Sequence, residues 1–256
     1  MSTMVISNRF CGPPKSGNGG YVCGRVAAAI DGAASVRLTA PPPLETELRI
    51  EKSNGVAKLL HGSSVIAEAK HAAVDLAPPR APSYAQAQSA ASSYPGFARH
   101  PFPRCFVCGP ERRAGDGLRI FPGPLAADGL VAAPWTPDRS LANGSDAIGR
   151  EFLWAALDCA SGFAGLPIPE GRAIVLGELS ARIDGDVVPG DKCVVVGWPL
   201  RIDGRKRFSA AAVLRDTGEL VAVGHATWID VPASAFGAST GASGAARATA
   251  ACPPGA

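Results

Sequence analysis

The sequence lacks the features that mark a membrane or secreted protein. No apolar stretch approaches the roughly 18 residues that a membrane-spanning helix needs. The first ten residues show no charged segment followed by an apolar one, so we expect no secretory signal. The seven cysteines are an odd number without a dense framework spacing, which favours reduced thiols. These absences predict a cytoplasmic protein that has no membrane partner.

An excess of charge of one sign is also missing. Lys and Arg number 25 against 22 Asp and Glu, and a net charge of +3 is not the footprint of a nucleic-acid-binding protein. We therefore expect no nucleic-acid partner. Hydrophobic residues make up 46% of the chain, which is enough to bury the core of two ordinary domains or of one double domain.

One pattern occurs twice in the chain. In the first half the apolar segment 24–30 leads into Asp31, and in the second half segment 151–157 leads into Asp158. Strand-like segments follow each of them, and the closing segments of the two halves also correspond. Two copies are too few for a solenoid, which needs at least about three repeats. A pair of similar fused units fits the pattern better.

Proline, glycine and composition divide this chain into four regions. We predict an N-terminal unit over 1–76, a linker over 77–103, a C-terminal unit over 104–232 and a disordered tail over 233–256. Period-two alternation predicts strands in both units. The predicted helices cover 21–30, 84–91 and 151–163, and the predicted strands of the second unit cover 117–121, 130–135, 172–183, 192–200, 207–214 and 220–229.

The segment Cys-Phe-Val-Cys-Gly-Pro at 105–110, followed by Gly-Leu-Arg-Ile at 117–120, resembles the opening of small hotdog-fold acyl-CoA thioesterases of the phenylacetate-pathway type. In that family the apolar helix ends in Leu-Ala-Asp. Ala-Leu-Asp158 takes this position here, and Ala-Ile-Asp31 is its first-half counterpart. The resemblance covers 104–229 fairly well and 17–74 more loosely. It implies an α+β double hotdog, in which two antiparallel sheets each wrap a central helix.

The resemblance also implies hydrolysis of an acyl thioester, carried by CoA or by an acyl-carrier protein, without metal or cofactor. This reaction needs a group that attacks or activates water, and donors for the developing oxyanion. A helix N-terminus supplies such donors. Asp158 and Asp31 are therefore the candidate catalytic residues, and the alternative for each is a solvated or capping Asp. Fused units of this kind could pair again as a homo-oligomer.

The family's His-Gly-Gly turn is absent from both halves. In the first half Asn18, Gly19, Gly20 and Gly24 are candidates for substrate binding, although an Asn-Gly turn would explain them too. The departure leaves a second function open, a non-catalytic protein that binds acyl-CoA or a lipophilic small molecule. In the second half the corresponding substrate-binding candidates are Arg150 and Glu151, with Arg205 and Arg207 as phosphate ligands or as parts of a solvated turn.

The Cys105-x-x-Cys108 pair raises the question of a metal or redox site. A structural zinc site needs four ligands, and no second cysteine pair or adjacent histidine accompanies this one. A redox motif would follow a strand and open a helix. The sequence therefore favours apolar packing for this pair and predicts no metal site. Cys159 is either a nucleophile beside Asp158 or a buried filler, and the second is favoured.

Overall fold

The computed structural model describes residues 2–125, 129–142, 144–165 and 167–236. Three α-helices lie in this part of the chain, α1 (Gly19–Ala27), α2 (Tyr84–Ser92) and α3 (Arg150–Ala164). The strands are β1 (Ser2–Val5), β2 (Ala34–Leu38), β3 (Glu47–Ser53), β4 (Val56–His61), β5 (Ser64–His71), β6 (Gly123–Pro124), β7 (Val131–Trp135), β8 (Arg172–Ile183), β9 (Cys193–Asp203), β10 (Lys206–Arg215) and β11 (Leu220–Pro232).

All of these strands form one continuous antiparallel sheet of 11 strands. Its order is β1-β3-β4-β5-β2-β8-β11-β10-β9-β7-β6. Strands β2 and β8 join the halves in a register that pairs Ala34 with Ala181 and Arg37 with Glu178. Outward from this junction the two halves run through their strands in a corresponding order. The sequence predicts two sheets, whereas the structure connects them into one through the β2–β8 ladder.

The two central helices, α1 and α3, are amphipathic to different degrees, and both are almost fully buried. α3 buries twelve of its 15 residues, and α1 seven of its nine. Both pack against the sheet and against each other, within one hydrophobic core cluster that draws on both halves of the chain. The arrangement brings the start of α1 to the middle of α3.

Most predicted elements of the second half are confirmed. The predicted helix 151–163 is α3, and the predicted strand 172–183 is β8 residue for residue. The strand predicted over 117–121 is wrong, because Arg119 has a positive φ of 56° and breaks the extended backbone there. The helix predicted over 84–91 in the linker is confirmed as α2, which begins at a capping box formed by Ser83 and Gln86.

The remaining expectations concern the thiols, the tail and the membrane. Five described cysteines are free thiols, as expected: Cys23, Cys105, Cys108, Cys159 and Cys193. Cys11 is disulfide-bonded, contrary to the expectation of reduced cysteines. The predicted disordered tail begins with a short 3₁₀ helix at Ala233–Phe236, and the rest of it lies outside the described residues. None of the described helices is long and apolar enough to cross a membrane.

Candidate functional site

Glycines let α1 approach α3 closely. A Cβ atom on Gly20 would lie 2.4 Å from Cβ of Asp158 and 2.7 Å from the carbonyl oxygen of Trp154. A Cβ atom on Gly24 would lie 2.6 Å from Cα of Glu151. Real Cβ atoms do not approach neighbours so closely, so only glycine fits at these two positions. The close crossing places the first turn of α1 directly against the Asp158 side chain.

Asn18 links the start of α1 to Asp158. Its side-chain oxygen accepts a hydrogen bond of 2.9 Å from the backbone N–H of Tyr21, which makes it the N-cap of the helix. Its amide nitrogen donates to Oδ2 of Asp158 at 2.9 Å. The backbone N–H of Gly20 donates to the same oxygen, also at 2.9 Å. One oxygen of the carboxyl group is thus held by two donors from the first half of the chain.

The other carboxyl oxygen of Asp158 is left without a donor. Oδ1 is buried and has no hydrogen-bond partner among the described residues. Burial raises the pKa of Asp158 to about 7, although the hydrogen bonds from Gly20 and Asn18 oppose this rise. A buried acceptor without a partner is costly, so each such atom in a native protein requires an explanation, and a catalytic role is one of them. Asp158 is therefore the candidate reactive group of this site.

A cavity of about 360 Å³ lies beside Asp158. Segments from both halves and from the linker line it, and most of its wall is apolar, including Leu38, Phe163 and Trp228. Its few polar groups include Asn18, Asp158 and His100, with the exposed Arg99 also on the lining. An apolar cavity with a few convergent polar groups is the usual form of a small-molecule site.

Three thiols also line this cavity. Sγ of Cys159 lies 3.1 Å from Sγ of Cys108 and 3.7 Å from Sγ of Cys105, and all three sulfur atoms lie within 4.8 Å of one another. Hydrogen bonds from Cys108 and Cys159 hold the pKa of Cys105 well below its usual range. Burial raises the pKa of Cys108 instead. Among the described residues, these three sulfur atoms lie close enough together to reach one metal ion.

His100 lies against this thiol group. Its Nδ1 accepts a hydrogen bond of 2.9 Å from the backbone N–H of Phe102, and its Nε2 lies 3.3 Å from Sγ of Cys108. Burial lowers the pKa of His100, which favours the neutral ring. Because Nδ1 is the acceptor, the proton of the neutral ring is on Nε2 and points to the sulfur of Cys108.

The structure brings only some of the predicted site residues together. Asn18, Gly19 and Asp158 line the cavity. Gly20 donates its backbone N–H to Asp158 without lining the cavity, and Gly24 packs against α3. Asp31 is fully exposed and lies 3.9 Å from the Lys52 amine, outside the cavity.

The charged candidates lie away from the cavity. Arg150 pairs with Asp186 at the surface, at 3.1 Å. Arg205 is exposed in the turn between β9 and β10. Arg207 donates to the carbonyl oxygen of Gly165, and Glu151 lies in the first turn of α3, where its charge suits the helix dipole. None of these four residues lines the described cavity.

Sequence reasoning missed the contributions of Arg99 and His100. Both lie in the segment interpreted as a linker, which in fact forms part of the cavity wall. The only available signal was the density of aromatic and proline residues around them, at 94–103. That pattern indicates an ordered segment but not where it packs.

Comparison with solved structures shows the hotdog fold. A protein of unknown function with a hotdog fold from Alicyclobacillus acidocaldarius superimposes with a TM-score of 0.57 at 11% identity, covering 90% of this chain and 92% of that one. An acyl-CoA thioesterase II from Mycobacterium marinum gives 0.56 at 12% identity, covering 91% and 94%. The tesB protein of Mycobacterium avium subspecies paratuberculosis gives 0.52 at 14%, covering 84% and 88%.

No family model matches the sequence, and no curated protein matches it either. The structural likeness therefore rests on the arrangement of the backbone. It extends over nearly the whole length of the matched chains. At these identities the likeness shows the fold, and the chemistry has to be argued from the side chains of this chain.

Proposed function

We propose that this protein hydrolyses acyl thioesters in the cavity beside Asp158. The observation that carries the proposal is the state of that carboxyl group. Its Oδ2 is fixed by Asn18 and Gly20, its Oδ1 is unpartnered among the described residues, and Asp158 belongs to the lining of an apolar cavity. A carboxyl group that is held in place beside a substrate cavity and keeps one oxygen free to accept a proton suits the role of a general base for water.

The reaction follows from this geometry. Oδ1 of Asp158 accepts a proton from a water molecule as the water oxygen attacks the thioester carbonyl carbon. The oxyanion that forms lies at the start of α1, where the backbone N–H of Gly19 and the positive end of the helix dipole stabilise it. When the C–S bond breaks, the proton passes from Asp158 to the departing sulfur, which leaves as a thiol. The products are a carboxylic acid and a free thiol.

The cavity wall indicates the class of substrate. Its apolar lining suits an acyl chain, and the exposed cation of Arg99 suits the phosphates of a CoA or carrier-protein arm. The M. marinum protein with the same fold is named as an acyl-CoA thioesterase II, which supports the same class here. The site takes Asn18 and Gly20 from the first half and Asp158 from the second. The chain therefore works as a fused pseudo-dimer in which both halves build one site.

The experiment measures thiol release from a panel of short, medium, long-chain and aromatic acyl-CoAs. We expect Asp158→Asn to lower kcat by about 10²–10⁴-fold, the usual contribution of a general base, because the amide cannot accept the proton. Asp31→Asn is the matched control and should leave kcat unchanged, since Asp31 is exposed and outside the cavity. Equal rates for wild type and Asp158→Asn would refute the proposal.

Binding measurements on the same panel separate the second candidate function, a non-catalytic acyl-binding protein. The apolar lining of the cavity is the feature that favours it. A wild-type protein that binds acyl-CoA but releases no thiol, from CoA or from carrier-protein thioesters, would establish binding instead of hydrolysis.

A further inference from the structure

The three thiols at 105, 108 and 159 have the geometry of a metal-binding group. Cys105 and Cys108 come from the loop after the linker, and Cys159 comes from the middle of α3, so the fold rather than local sequence brings them together. Zinc–sulfur bonds are about 2.3 Å long, and two sulfur atoms of a tetrahedral site are then roughly 3.8 Å apart. The observed separations of 3.7 and 3.1 Å, with all three atoms within 4.8 Å, let one cation reach all three sulfurs.

The other thiols of the described core do not form such a group. Cys23 and Cys193 are free and buried, and neither belongs to a cluster of potential ligands in the described part of the chain. Cys23 lies near a backbone carbonyl, that of Val36, at 3.9 Å. Ordinary packing thus places single cysteines in this core, whereas the 105–108–159 group requires a separate explanation.

The surroundings supply donors for thiolates. Nε2 of His100 lies 3.3 Å from Sγ of Cys108, and the amide nitrogen of Asn18 lies 3.8 Å from Sγ of Cys105. Donors of this kind around ligating sulfurs stabilise their charge and orient them. His100 is a donor rather than a fourth ligand, because its Nδ1 already accepts from Phe102 and its proton is therefore on Nε2.

We propose that Cys105, Cys108 and Cys159 bind one Zn²⁺ ion as three thiolates, with the fourth coordination position facing the cavity. Binding holds all three sulfurs as thiolates and releases to solvent the protons of those that are still thiols, and a water molecule completes the tetrahedron. All three cysteines line the cavity, so the fourth position is accessible from it. Three protein ligands with one open position distinguish such a site from closed structural zinc sites, which have four protein ligands. The proposal departs from the sequence-based expectation of no metal and is independent of the proposed hydrolysis.

The test is metal stoichiometry on the full chain. The protein is stripped with a chelator under reducing conditions and titrated with Zn²⁺ against a metallochromic indicator. We expect one equivalent for wild type and for Cys23→Ser and Cys193→Ser, the matched controls, which remove buried thiols outside the group. Cys159→Ser and Cys108→Ser should each lose the bound equivalent. His100→Gln should keep the stoichiometry with affinity lowered about tenfold, as for a residue that supports a ligand.

Two readouts keep the test valid if a cysteine variant folds poorly. Co²⁺ added to the stripped wild type should give thiolate-to-metal charge-transfer absorption in the near ultraviolet. Zn²⁺ should also protect Cys105, Cys108 and Cys159 of the wild type from alkylation, as peptide mass spectrometry would show, while Cys193 is unaffected. Less than a tenth of an equivalent bound by wild type, or one equivalent retained by folded Cys159→Ser, would overturn the proposal.

Discussion

The starts of the two central helices differ in the residues that could perform chemistry. At the start of α1, Asn18 caps the helix with its side chain and also donates to Asp158. At the start of α3, the N-cap is Gly149, which makes no side-chain hydrogen bond. One helix start therefore meets a buried carboxyl group through the amide side chain of its N-cap, whereas the N-cap of the other helix has no side chain.

The two helix starts can be compared position by position. Gly20 and Glu151 each lie two residues after their N-cap, and Gly24 and Ala155 each lie six residues after it. A Cβ atom on Gly20 would lie 3.0 Å from Ala155, and one on Gly24 would lie 2.6 Å from Glu151. In both cases the residue two positions after the N-cap of one helix lies against the residue six positions after the N-cap of the other helix.

This correspondence identifies the true counterpart of Asp158. Asp158 lies nine residues after Gly149, and the residue nine positions after Asn18 is Ala27, which is 6% exposed. Asp31 follows four residues later, beyond the end of α1 and in solvent. Of the two corresponding positions, 158 carries a carboxyl group and 27 carries a methyl group.

The largest stability effect should come from placing a carboxyl group at position 27, which corresponds to Asp158. Ala27→Asp buries an acid where no Asn is available as a donor, and an uncompensated buried charge costs about 3–5 kcal/mol. The cost should be smaller at pH 5 than at pH 8, because the neutral acid is easier to bury. Urea denaturation relative to wild type at each pH measures this. Adding Gly149→Asn should recover about 1 kcal/mol of it, because the new amide nitrogen can donate to the buried carboxyl group, whereas the new cap by itself contributes only a few tenths of a kcal/mol.

This double variant tests the correspondence itself. If Gly149→Asn alone stabilises the protein as much as it does in the Ala27→Asp background, the two positions are not coupled. The counterpart of the Asn18–Asp158 pair would then lie elsewhere, and the comparison of the helix starts would fail.

Gly20→Ala should have the next largest effect, because its Cβ atom would meet the Asp158 side chain and the backbone of α3. Overpacking of this kind costs about 1–3 kcal/mol. Gly185→Ala is the matched control, since a Cβ atom there meets nothing within 4 Å. Its effect should stay within about 0.5 kcal/mol, as for other surface substitutions. Thermal denaturation of both variants measures the difference, and equal stability would show that the helices separate easily.

Asn18→Ala should combine a moderate stability loss with a loss of activity. Removal of an N-cap side chain costs about 1 kcal/mol. The substitution also removes one of the two donors that orient Asp158, so we expect kcat/KM to fall about tenfold, which corresponds to about 1.4 kcal/mol. Ser83→Ala removes the N-cap of α2 and is the control, because it should lower stability similarly without affecting turnover. Full activity in Asn18→Ala would mean that Gly20 alone orients the carboxyl group.

Much of the fold could be predicted from the sequence, because it depends on local patterns. Alternating apolar residues and Gly-containing turns located β8 to β11, and an apolar run located α3. The start of α1 was placed two residues late, since Gly19 and Gly20 suggest a loop until Asn18 is recognised as a cap. The continuous sheet was not predicted, because the β2–β8 register depends on two segments far apart in sequence.

The site was predicted only in part, for the same reason. Asp158 and Asn18 were identified from a motif and a glycine-rich turn, but their hydrogen bond joins residues 140 positions apart. Asp31 was selected because it follows an apolar run, as Asp158 does. The exact helix boundaries decide which residue is the counterpart, and one sequence does not locate them. Cys159 joins Cys105 and Cys108 only through the fold, so no spacing rule could have found that group.

The smallest expected effect separates the two possible phosphate sites. Arg99 lines the cavity with an exposed side chain, whereas Arg205 lies in the β9–β10 turn. An exposed ion pair contributes about 0.2–1 kcal/mol, so Arg99→Ala should raise KM for acyl-CoA only a few-fold, and less so at high salt. Arg205→Ala should leave KM unchanged. An acyl thioester of N-acetylcysteamine, which carries no phosphate, should be hydrolysed equally by wild type and Arg99→Ala. If Arg205→Ala raises KM instead, the phosphates of CoA bind at the β9–β10 turn. The CoA arm would then leave the cavity towards the strands of the C-terminal unit.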